Sequence, residues 1–150
     1  MNDYTSIDTL GSSDFRIQHF TIRELLDRMN DGQLSCLRVE GKKWSADKQI
    51  LFVESILSGI PVASFYFNGS ESHWSVLDGV ERLYAIKQYV ENRLCLQHLE
   101  LLSPAYNGYF EDLPSFVRRR FLNTSILGYV LTTQLPRTVL NSIFKRLNNQ

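Results

Sequence analysis

The sequence predicts an α/β (α+β) protein, with a small mixed sheet and packed helices in a single domain. The chain has 150 residues, which is the usual size of one domain. Its hydrophobic content of 43% is ordinary for a globular protein. Short segments of helical and of alternating periodicity follow one another along the chain, and this mixture predicts both helices and strands.

The N-terminal region combines a polar arm with a helix start. Residues 1–19 are rich in polar residues and lack a regular pattern, so we expect a flexible arm before a folded domain at 20–150. Thr21 and Glu24 have the spacing of a capping box, in which the threonine hydroxyl binds a free amide of the helix. The first helix is therefore expected to run to about Met29.

The middle of the chain predicts one strand, then a helix, and then two further strands. A strand is expected at 34–39 from its alternating pattern. Ser45 is a plausible N-cap for a helix at 46–58. Strands at 62–67 and 74–77 flank a turn sequence and therefore predict a hairpin.

The last part of the chain predicts three helices and further strands. Helical periodicity is found at 80–90, 114–122 and 137–147, and one or two strands are expected within 94–101. A strand is expected at 126–131. In the second of these helices, the residues expected to face inward are Phe116, Val117 and Phe121. The chain stops directly after a strongly helical run, which suggests a domain cut from something longer.

Charge and targeting features narrow the class of partner. Sixteen basic and sixteen acidic residues cancel, so no overall field attracts nucleic acid or an anionic membrane. DNA binding would need a local patch, a partner domain or a partner subunit. The three arginines at 118–120 are better explained as a solvated helix face. We see no secretory signal and no membrane span, so the expected location is the cytoplasm.

The cysteines and histidines give no sign of a metal site. Cys36 and Cys95 are far apart and belong to no Cys-x-x-Cys pair, so two reduced, buried thiols are expected. The histidines have no ligand spacing among themselves or with the cysteines; they are His19, His73 and His98. No metal held by protein side chains alone is predicted.

The segment at 77–82 carries the strongest functional signal. An apolar strand ends at Asp78, Gly79 permits a sharp turn, and a helix starts directly afterwards. Such a junction points unpaired amides, at the positive end of a helix dipole, toward one place. Arg82 lies in the first helical turn, where its guanidinium could bind an anion held there. Asp78 could hold Mg²⁺ or orient a water beside the same anion.

Ordinary structural roles explain the same residues equally well. Asp78 could cap the helix, since an acid near a helix start is stabilising by about 0.3–1 kcal/mol. Gly79 could serve only the turn, and Arg82 could pair with Asp78 or Glu81. The pattern alone leaves both interpretations open.

Four stretches occur in a fixed order along the chain. They are Trp44 with the following helix and Ile60-Pro61, Leu77-Asp78-Gly79-Val80-Glu81-Arg82-Leu83, Phe110-Glu111-Asp112-Leu113-Pro114, and Ile143-Phe144-Lys145-Arg146-Leu147-Asn148. Their order resembles the N-terminal domain of GmrSD-type restriction endonucleases, a domain-of-unknown-function family of the ParB/sulfiredoxin superfamily. The resemblance covers about residues 20–148.

The resemblance implies a ParB/sulfiredoxin-like fold and a site that binds or hydrolyses a nucleoside triphosphate with Mg²⁺, in systems that restrict foreign DNA or phage. It implies catalytic roles for Asp78, Glu81 and Arg82. It also implies nucleotide contacts from five positions, which are Gly79, Val80, Arg82, Arg146 and Asn148. No nuclease motif such as His-Asn-His is present, so any cleavage belongs to residues outside this chain.

Two departures from the family pattern favour a second hypothesis. The family has two glutamines after the glycine, where this chain has Val80 and Glu81. The family also tends to carry Gln-Arg shortly before the tryptophan, where this chain has Val39-Glu40. A free carboxylate about 4 Å from a phosphate oxygen is repelled by roughly 4 kcal/mol at an effective dielectric of 20. The alternative is therefore a degenerate, non-catalytic module that binds DNA or a partner protein. If repulsion is the defect, Glu81→Gln is expected to strengthen nucleotide binding.

Overall fold

The computed structural model describes residues 14–149, which contain five strands and five α-helices. Two short 3-10 turns, Pro104–Tyr106 and Phe110–Asp112, precede the fourth α-helix. The strands and α-helices are β1 (Phe15–Thr21), α1 (Ile22–Asn30), β2 (Leu34–Ser35), α2 (Ala46–Leu57), β3 (Phe65–Asn68), β4 (Trp74–Asp78), α3 (Val80–Val90), α4 (Ser115–Leu122), β5 (Ser125–Leu131) and α5 (Arg137–Asn148).

The five strands form one mixed sheet in the order β1-β5-β3-β4-β2. β1 is antiparallel to β5, and β5 is parallel to β3. β3 and β4 form the antiparallel pair predicted as a hairpin, and β2 is parallel to β4. The predicted α/β class with a small mixed sheet in a single domain is therefore confirmed.

Local capping explains where the first two helices begin. The Thr21 hydroxyl accepts a hydrogen bond from the Glu24 amide at 3.1 Å. The Ser45 hydroxyl accepts one from the Lys48 amide at 3.2 Å. Each bond satisfies one amide that the helix itself leaves unpaired, and both caps agree with the prediction.

Aromatic residues form much of the core. Phe65 and Phe67 are fully buried, and Phe20 lies edge-on to Phe67 with their ring centroids 5.4 Å apart. Between them, Tyr66 points to the other face of the sheet and stacks on Tyr129 at 4.9 Å. The alternation along β3 therefore separates a buried aromatic layer from a half-exposed tyrosine pair.

The predicted arm is too long at its C-terminal end. Residues 15–19 lie in β1, which pairs with β5 over its whole length. The folded domain therefore begins before residue 20, because backbone pairing orders a segment whose side-chain pattern is weak. The remainder of the predicted arm, 1–13, lies outside the described residues.

Three predicted strand regions differ from expectation. The strand predicted at 62–67 begins only at Phe65 and ends at Asn68. β2 ends at Ser35 because the following segment crosses to the start of α3, where Arg38 and the Trp44 amide bind Glu81. In 94–101 the described structure has only an isolated bridge, between Leu96 and Gly108.

The outer surface of α4 also differs from the prediction. Val117 and Phe121 are buried as expected, but Phe116 is 61% exposed. Arg118 does not lie free in solvent, because its guanidinium donates to the carbonyl oxygens of Glu111 (3.2 Å) and Leu113. Two arginines of the run, Arg119 and Arg120, are exposed.

Both cysteines are unpaired and half-buried rather than fully buried as predicted. Burial raises the pKa of the Cys36 thiol to about 11, with Glu81 adding to the effect, so this thiol is neutral and unreactive at pH 7.

Among residues 14–149, no helix is both long enough and apolar enough to cross a membrane.

Glu54 is a buried acid that fastens the loop after residue 99 to α2. Its carboxylate accepts hydrogen bonds from the amides of Glu100 (3.2 Å), Leu101 (2.6 Å) and Leu102 (2.9 Å). Burial pushes the pKa of Glu54 upward, but the three amide donors more than compensate, and the pKa is lowered overall.

We expect Glu54→Gln to destabilise the fold by about 1–3 kcal/mol at pH 7, since charge-assisted hydrogen bonds are lost. Because the folded pKa is lowered, the carboxylate's contribution is present above the unfolded pKa of about 4.3 and is lost as pH falls through the folded pKa. Urea unfolding at pH 7 and in acid should therefore show a gap between wild type and variant that narrows in acid. The control is Glu71→Gln, which changes an exposed residue and should have little effect on stability at pH 7. A difference in stability between wild type and Glu54→Gln that does not depend on pH would contradict this account.

Candidate functional site

The junction between β4 and α3 contains a β-bulge. Asp78 pairs with Tyr66 and Val76 pairs with Phe67, so Leu77 is an extra residue between these pairs. With regular alternation Asp78 would share the core-facing side of Val76. The bulge places Asp78 instead beside Tyr66, away from the buried layer.

Gly79 is required by the packing of the junction as well as by its turn. Its φ is +114°, in the region that favours glycine. A Cβ atom on this residue would lie 2.4 Å from Cδ1 of Phe65, which is buried beneath the turn. The backbone therefore contacts an aromatic ring at a distance that no other residue type permits.

The Arg82 guanidinium is held mostly by the protein itself. It donates to the carbonyl oxygens of Ala63 and Ser64, the latter at 3.1 Å. Its Nη2 lies 3.4 Å from Oδ2 of Asp78, and its Cζ lies 4.4 Å from the centre of the Phe65 ring. The side chain is only 13% exposed. Arg82 therefore connects α3 to the segment that enters β3.

Burial shifts the pKa values of Asp78 and Arg82 in opposite directions. Burial raises the pKa of Asp78, although Arg82 and the Gly79 amide partly counteract this. Burial likewise lowers the pKa of Arg82, with Asp78 acting in the opposite direction. Each group thus favours the charged form of the other, against the effect of burial.

Glu81 is also engaged in a structural contact. Arg38 binds it with two parallel hydrogen bonds, from Nη2 to Oε1 at 2.7 Å and from Nε to Oε2 at 2.9 Å. The Trp44 amide donates to Oε1 at 2.7 Å. The bond from Arg38 is the main reason that the pKa of Glu81 is lowered. Arg38 in turn lies over the Tyr84 ring, with Cζ 3.7 Å from its centre.

A cavity of about 230 Å³ lies against this junction. The segment from Val39 to Trp44 and the end of α5 form walls opposite the first turn of α3. The lining residues are Val39, Lys42, Trp44, Asp78, Gly79, Val80, Glu81, Arg82, Phe144 and Asn148. The site is therefore built from three segments that are distant in the sequence.

The first turn of α3 presents unpaired backbone donors at the cavity. The helix has no side-chain N-cap, and the first amide bonded within it is that of Leu83, to the Gly79 carbonyl at 2.9 Å. Among residues 14–149, the amides of Val80, Glu81 and Arg82 have no hydrogen-bond partner. These amides and the helix dipole favour a negatively charged group.

α5 brings one of its two predicted contact residues to the site. The Asn148 side-chain amide donates to the Leu77 carbonyl at 3.1 Å and to the Phe144 carbonyl at 2.7 Å. Arg146 is exposed and is not part of the cavity lining. Residues 144 and 148 are one turn apart and share a helix face, whereas residue 146 lies on the opposite face. The implied role of Arg146 as a nucleotide contact therefore has no geometric support.

The side chains at the cavity fit Mg²⁺ poorly. Asp78 is paired with Arg82, and Glu81 is bound by Arg38 and a backbone amide. Among residues 14–149, no group of three or more His, Cys, Asp and Glu side chains could hold a metal ion. We therefore assign no role to a metal here.

Sequence reasoning missed five residues of the site. Arg38 orients Glu81. The other four line the cavity, and they are Val39, Lys42, Trp44 and Phe144. Trp44 and Phe144 lie within the stretches that carried the family resemblance, so these stretches were the available signal. Lys42 had no signal, since it is one exposed lysine among several.

No family model, curated protein or solved structure matches this chain. The resemblance described above therefore rests on its motifs alone.

Proposed function

We propose that this domain binds a nucleotide in the cavity beside Asp78 and does so without hydrolysing it. The observation that carries the proposal is the uncapped N-terminus of α3 at a cavity with an apolar wall. The free amides suit a phosphate, and the apolar wall suits a base or sugar.

Three observations support phosphate binding. The free amides of the first turn of α3 point positive partial charge at an anion. Lys42 is an exposed cavity residue that takes part in no ion pair among residues 14–149. Glu81 would oppose a phosphate if it were free, but Arg38 neutralises it at 2.7 Å. The repulsion suggested by the sequence is therefore largely removed.

The apolar wall supports binding of the rest of the ligand. Trp44, Phe144 and Val39 give the cavity aromatic and aliphatic surface on which a nucleobase could pack. The cavity of about 230 Å³ is smaller than the roughly 300–1,000 Å³ that encloses most drug-sized ligands. We infer that it holds part of the nucleotide and that the remainder extends toward solvent.

The absence of turnover is proposed because the implied catalytic groups are engaged elsewhere. Arg82 donates to backbone carbonyls, and Glu81 is bound by Arg38. Neither is free to stabilise a transferring phosphoryl group, which requires charges aimed at the reaction centre. The nucleotide would therefore act as an effector. The family resemblance extends this proposal to a system that restricts foreign DNA, with DNA contacted by a partner domain or subunit.

Thermal-shift measurements with ATP, GTP and CTP, each with Mg²⁺ or with EDTA, test the proposal. Binding should raise the melting temperature for at least one nucleotide. At a nucleotide concentration of 100 times Kd, binding stabilises the folded state by about 2.7 kcal/mol. The shift should persist in EDTA, and no inorganic phosphate should be released. No shift with any nucleotide would refute the binding proposal, whereas Mg²⁺-dependent phosphate release would refute the proposal that turnover is absent.

Lys42→Glu is expected to weaken nucleotide binding by about tenfold, or about 1.4 kcal/mol, because an attractive charge at the cavity becomes repulsive. The control is Lys43→Glu, which changes the neighbouring exposed lysine that pairs with Glu40 at 3.2 Å and does not line the cavity. Titration calorimetry at low salt should separate the two variants. Equal affinities in both would show that the phosphate does not lie near Lys42.

Glu81→Gln is now expected to weaken nucleotide binding rather than strengthen it. A neutral side chain cannot balance Arg38, so the wall from Val39 to Trp44 loses its main attachment to α3. We expect Kd to rise about threefold to tenfold, corresponding to about 0.7–1.4 kcal/mol. Tighter binding, measured by the same calorimetric titration, would restore the phosphate-repulsion hypothesis.

A further inference from the structure

A serine and a histidine form a hydrogen-bonded pair at one edge of the sheet. The Ser35 hydroxyl, at the end of β2, bonds to Nε2 of His73, which precedes β4. The other ring nitrogen of His73, Nδ1, lies 2.8 Å from the carbonyl oxygen of Gly32. Neither Ser35 nor His73 lines the cavity described above.

The Gly32 contact fixes the direction of both hydrogen bonds. A carbonyl oxygen can only accept, so Nδ1 of His73 must carry the proton that is shared with Gly32. In the neutral imidazole, Nε2 then has only its lone pair to offer. Ser35 must therefore donate its hydroxyl proton to Nε2, which is the arrangement of a general base beside a nucleophile.

The residue after Ser35 supplies a free donor. β2 is the last strand of the sheet order, and its pairing with β4 ends at Ser35. The Cys36 amide has no hydrogen-bond partner among residues 14–149. In serine hydrolases with a nucleophile on a turn, the amide of the following residue helps to stabilise the oxyanion. Leu37 is 81% exposed and gives apolar surface close by.

A second serine–histidine pair provides an internal comparison. The Ser125 hydroxyl lies 3.3 Å from Nδ1 of His19. No hydrogen bond from the other ring nitrogen of His19 orients that ring among residues 14–149. The two pairs thus contain the same chemical groups, but only the pair of Ser35 and His73 has its base oriented by a third group.

We propose that Ser35 is a nucleophile for acyl transfer from small esters with an apolar acyl group, with His73 as its base. The hydroxyl proton of Ser35 moves to Nε2 of His73 while Oγ bonds to the ester carbonyl carbon. The bond to the alcohol oxygen then breaks, and Nε2 returns the proton to the departing alcohol. Water releases the acyl group by the same steps in reverse, giving a carboxylic acid and free Ser35. This activity is independent of nucleotide binding.

The test is covalent labelling of the full chain with a fluorophosphonate probe, with the modified residue located by peptide mass spectrometry. We expect an adduct on Ser35 that Ser35→Ala abolishes. His73→Gln should slow labelling by about 100-fold, the lower range for loss of a general base. Ser75→Ala and Ser125→Ala should label like wild type, since Ser75 is the strand neighbour of Ser35 and Ser125 belongs to the comparison pair.

Hydrolysis of p-nitrophenyl acetate should follow the same ranking of variants. The proposal is overturned if Ser35 is not labelled, if Ser125 is labelled as fast as Ser35, or if His73→Gln labels at the wild-type rate. His73 also connects its loop to the turn at Gly32, so each variant is first checked by its melting temperature. If His73→Gln is unfolded, the comparison of Ser35→Ala with Ser75→Ala decides the question.

Discussion

Gly79→Ala is expected to destabilise the fold by about 2–5 kcal/mol. The left-handed backbone costs a residue with a side chain roughly 1–2 kcal/mol. Overpacking against a buried ring adds roughly 1–3 kcal/mol, because the new Cβ would lie 2.4 Å from the Phe65 ring. Phe65 is fully buried and stacks against Phe67, so it has little room to move.

Gly59→Ala is the matched control for this prediction. Gly59 also has a positive φ, of +78°, but a Cβ there would meet nothing within 4 Å. In both variants the alanine strains the left-handed backbone of the folded state, and in both it lowers the conformational entropy of the unfolded chain by the same amount. Urea unfolding should therefore show a larger loss of stability for Gly79→Ala than for Gly59→Ala. The loss caused by Gly79→Ala should be smaller when Phe65→Leu is also present. Equal losses in the two variants would mean that the Phe65 contact is unimportant.

Arg82→Ala is expected to cost about 2–4 kcal/mol of stability without any ligand. The change leaves Asp78 half-buried with no cation beside it, and it leaves the Ala63 and Ser64 carbonyls without their donor. Removing one member of a well-buried pair typically costs roughly 3–5 kcal/mol. The remaining exposure of Asp78, 24%, places our value slightly lower.

The control for Arg82 is Arg93→Ala, which removes an exposed guanidinium 3.9 Å from Glu91 and should change stability by less than about 0.5 kcal/mol. Adding Asp78→Asn to Arg82→Ala should restore part of the loss, because the unpaired charge is removed. If Arg82→Ala instead keeps full stability and loses only nucleotide affinity, Arg82 is a ligand-binding residue and our structural assignment is wrong.

Features set by neighbouring residues were predictable from the sequence. α3 begins and ends at the predicted residues, 80 and 90, and the caps at Thr21 and Ser45 form as expected. Both follow from interactions within one helical turn. The pairing of Arg82 with Asp78 was one of the stated alternatives and likewise spans a single turn.

Features that depend on distant contacts were not predictable. The bulge at Leu77 arises from the register between β3 and β4, which no local pattern encodes. The partner of Glu81 is 43 residues away, so its charge was interpreted as free when it is in fact balanced by Arg38. The same limitation hid the second contact of Arg82, with carbonyl oxygens near the start of β3.

The attachment of the Val39–Trp44 wall has a consequence for how the shape of the cavity responds to substitution. Lys42 is exposed, Val39 and Trp44 are not fully buried, and all three lie outside any helix or strand. Substitutions at Val39 and Lys42 would reshape the cavity at little thermodynamic cost, provided that Arg38 and Glu81 are kept. Trp44 is more constrained, because its ring packs edge-on against Phe52 with centroids 5.6 Å apart. The domain thus separates a framework on which stability depends from a cavity wall that tolerates change.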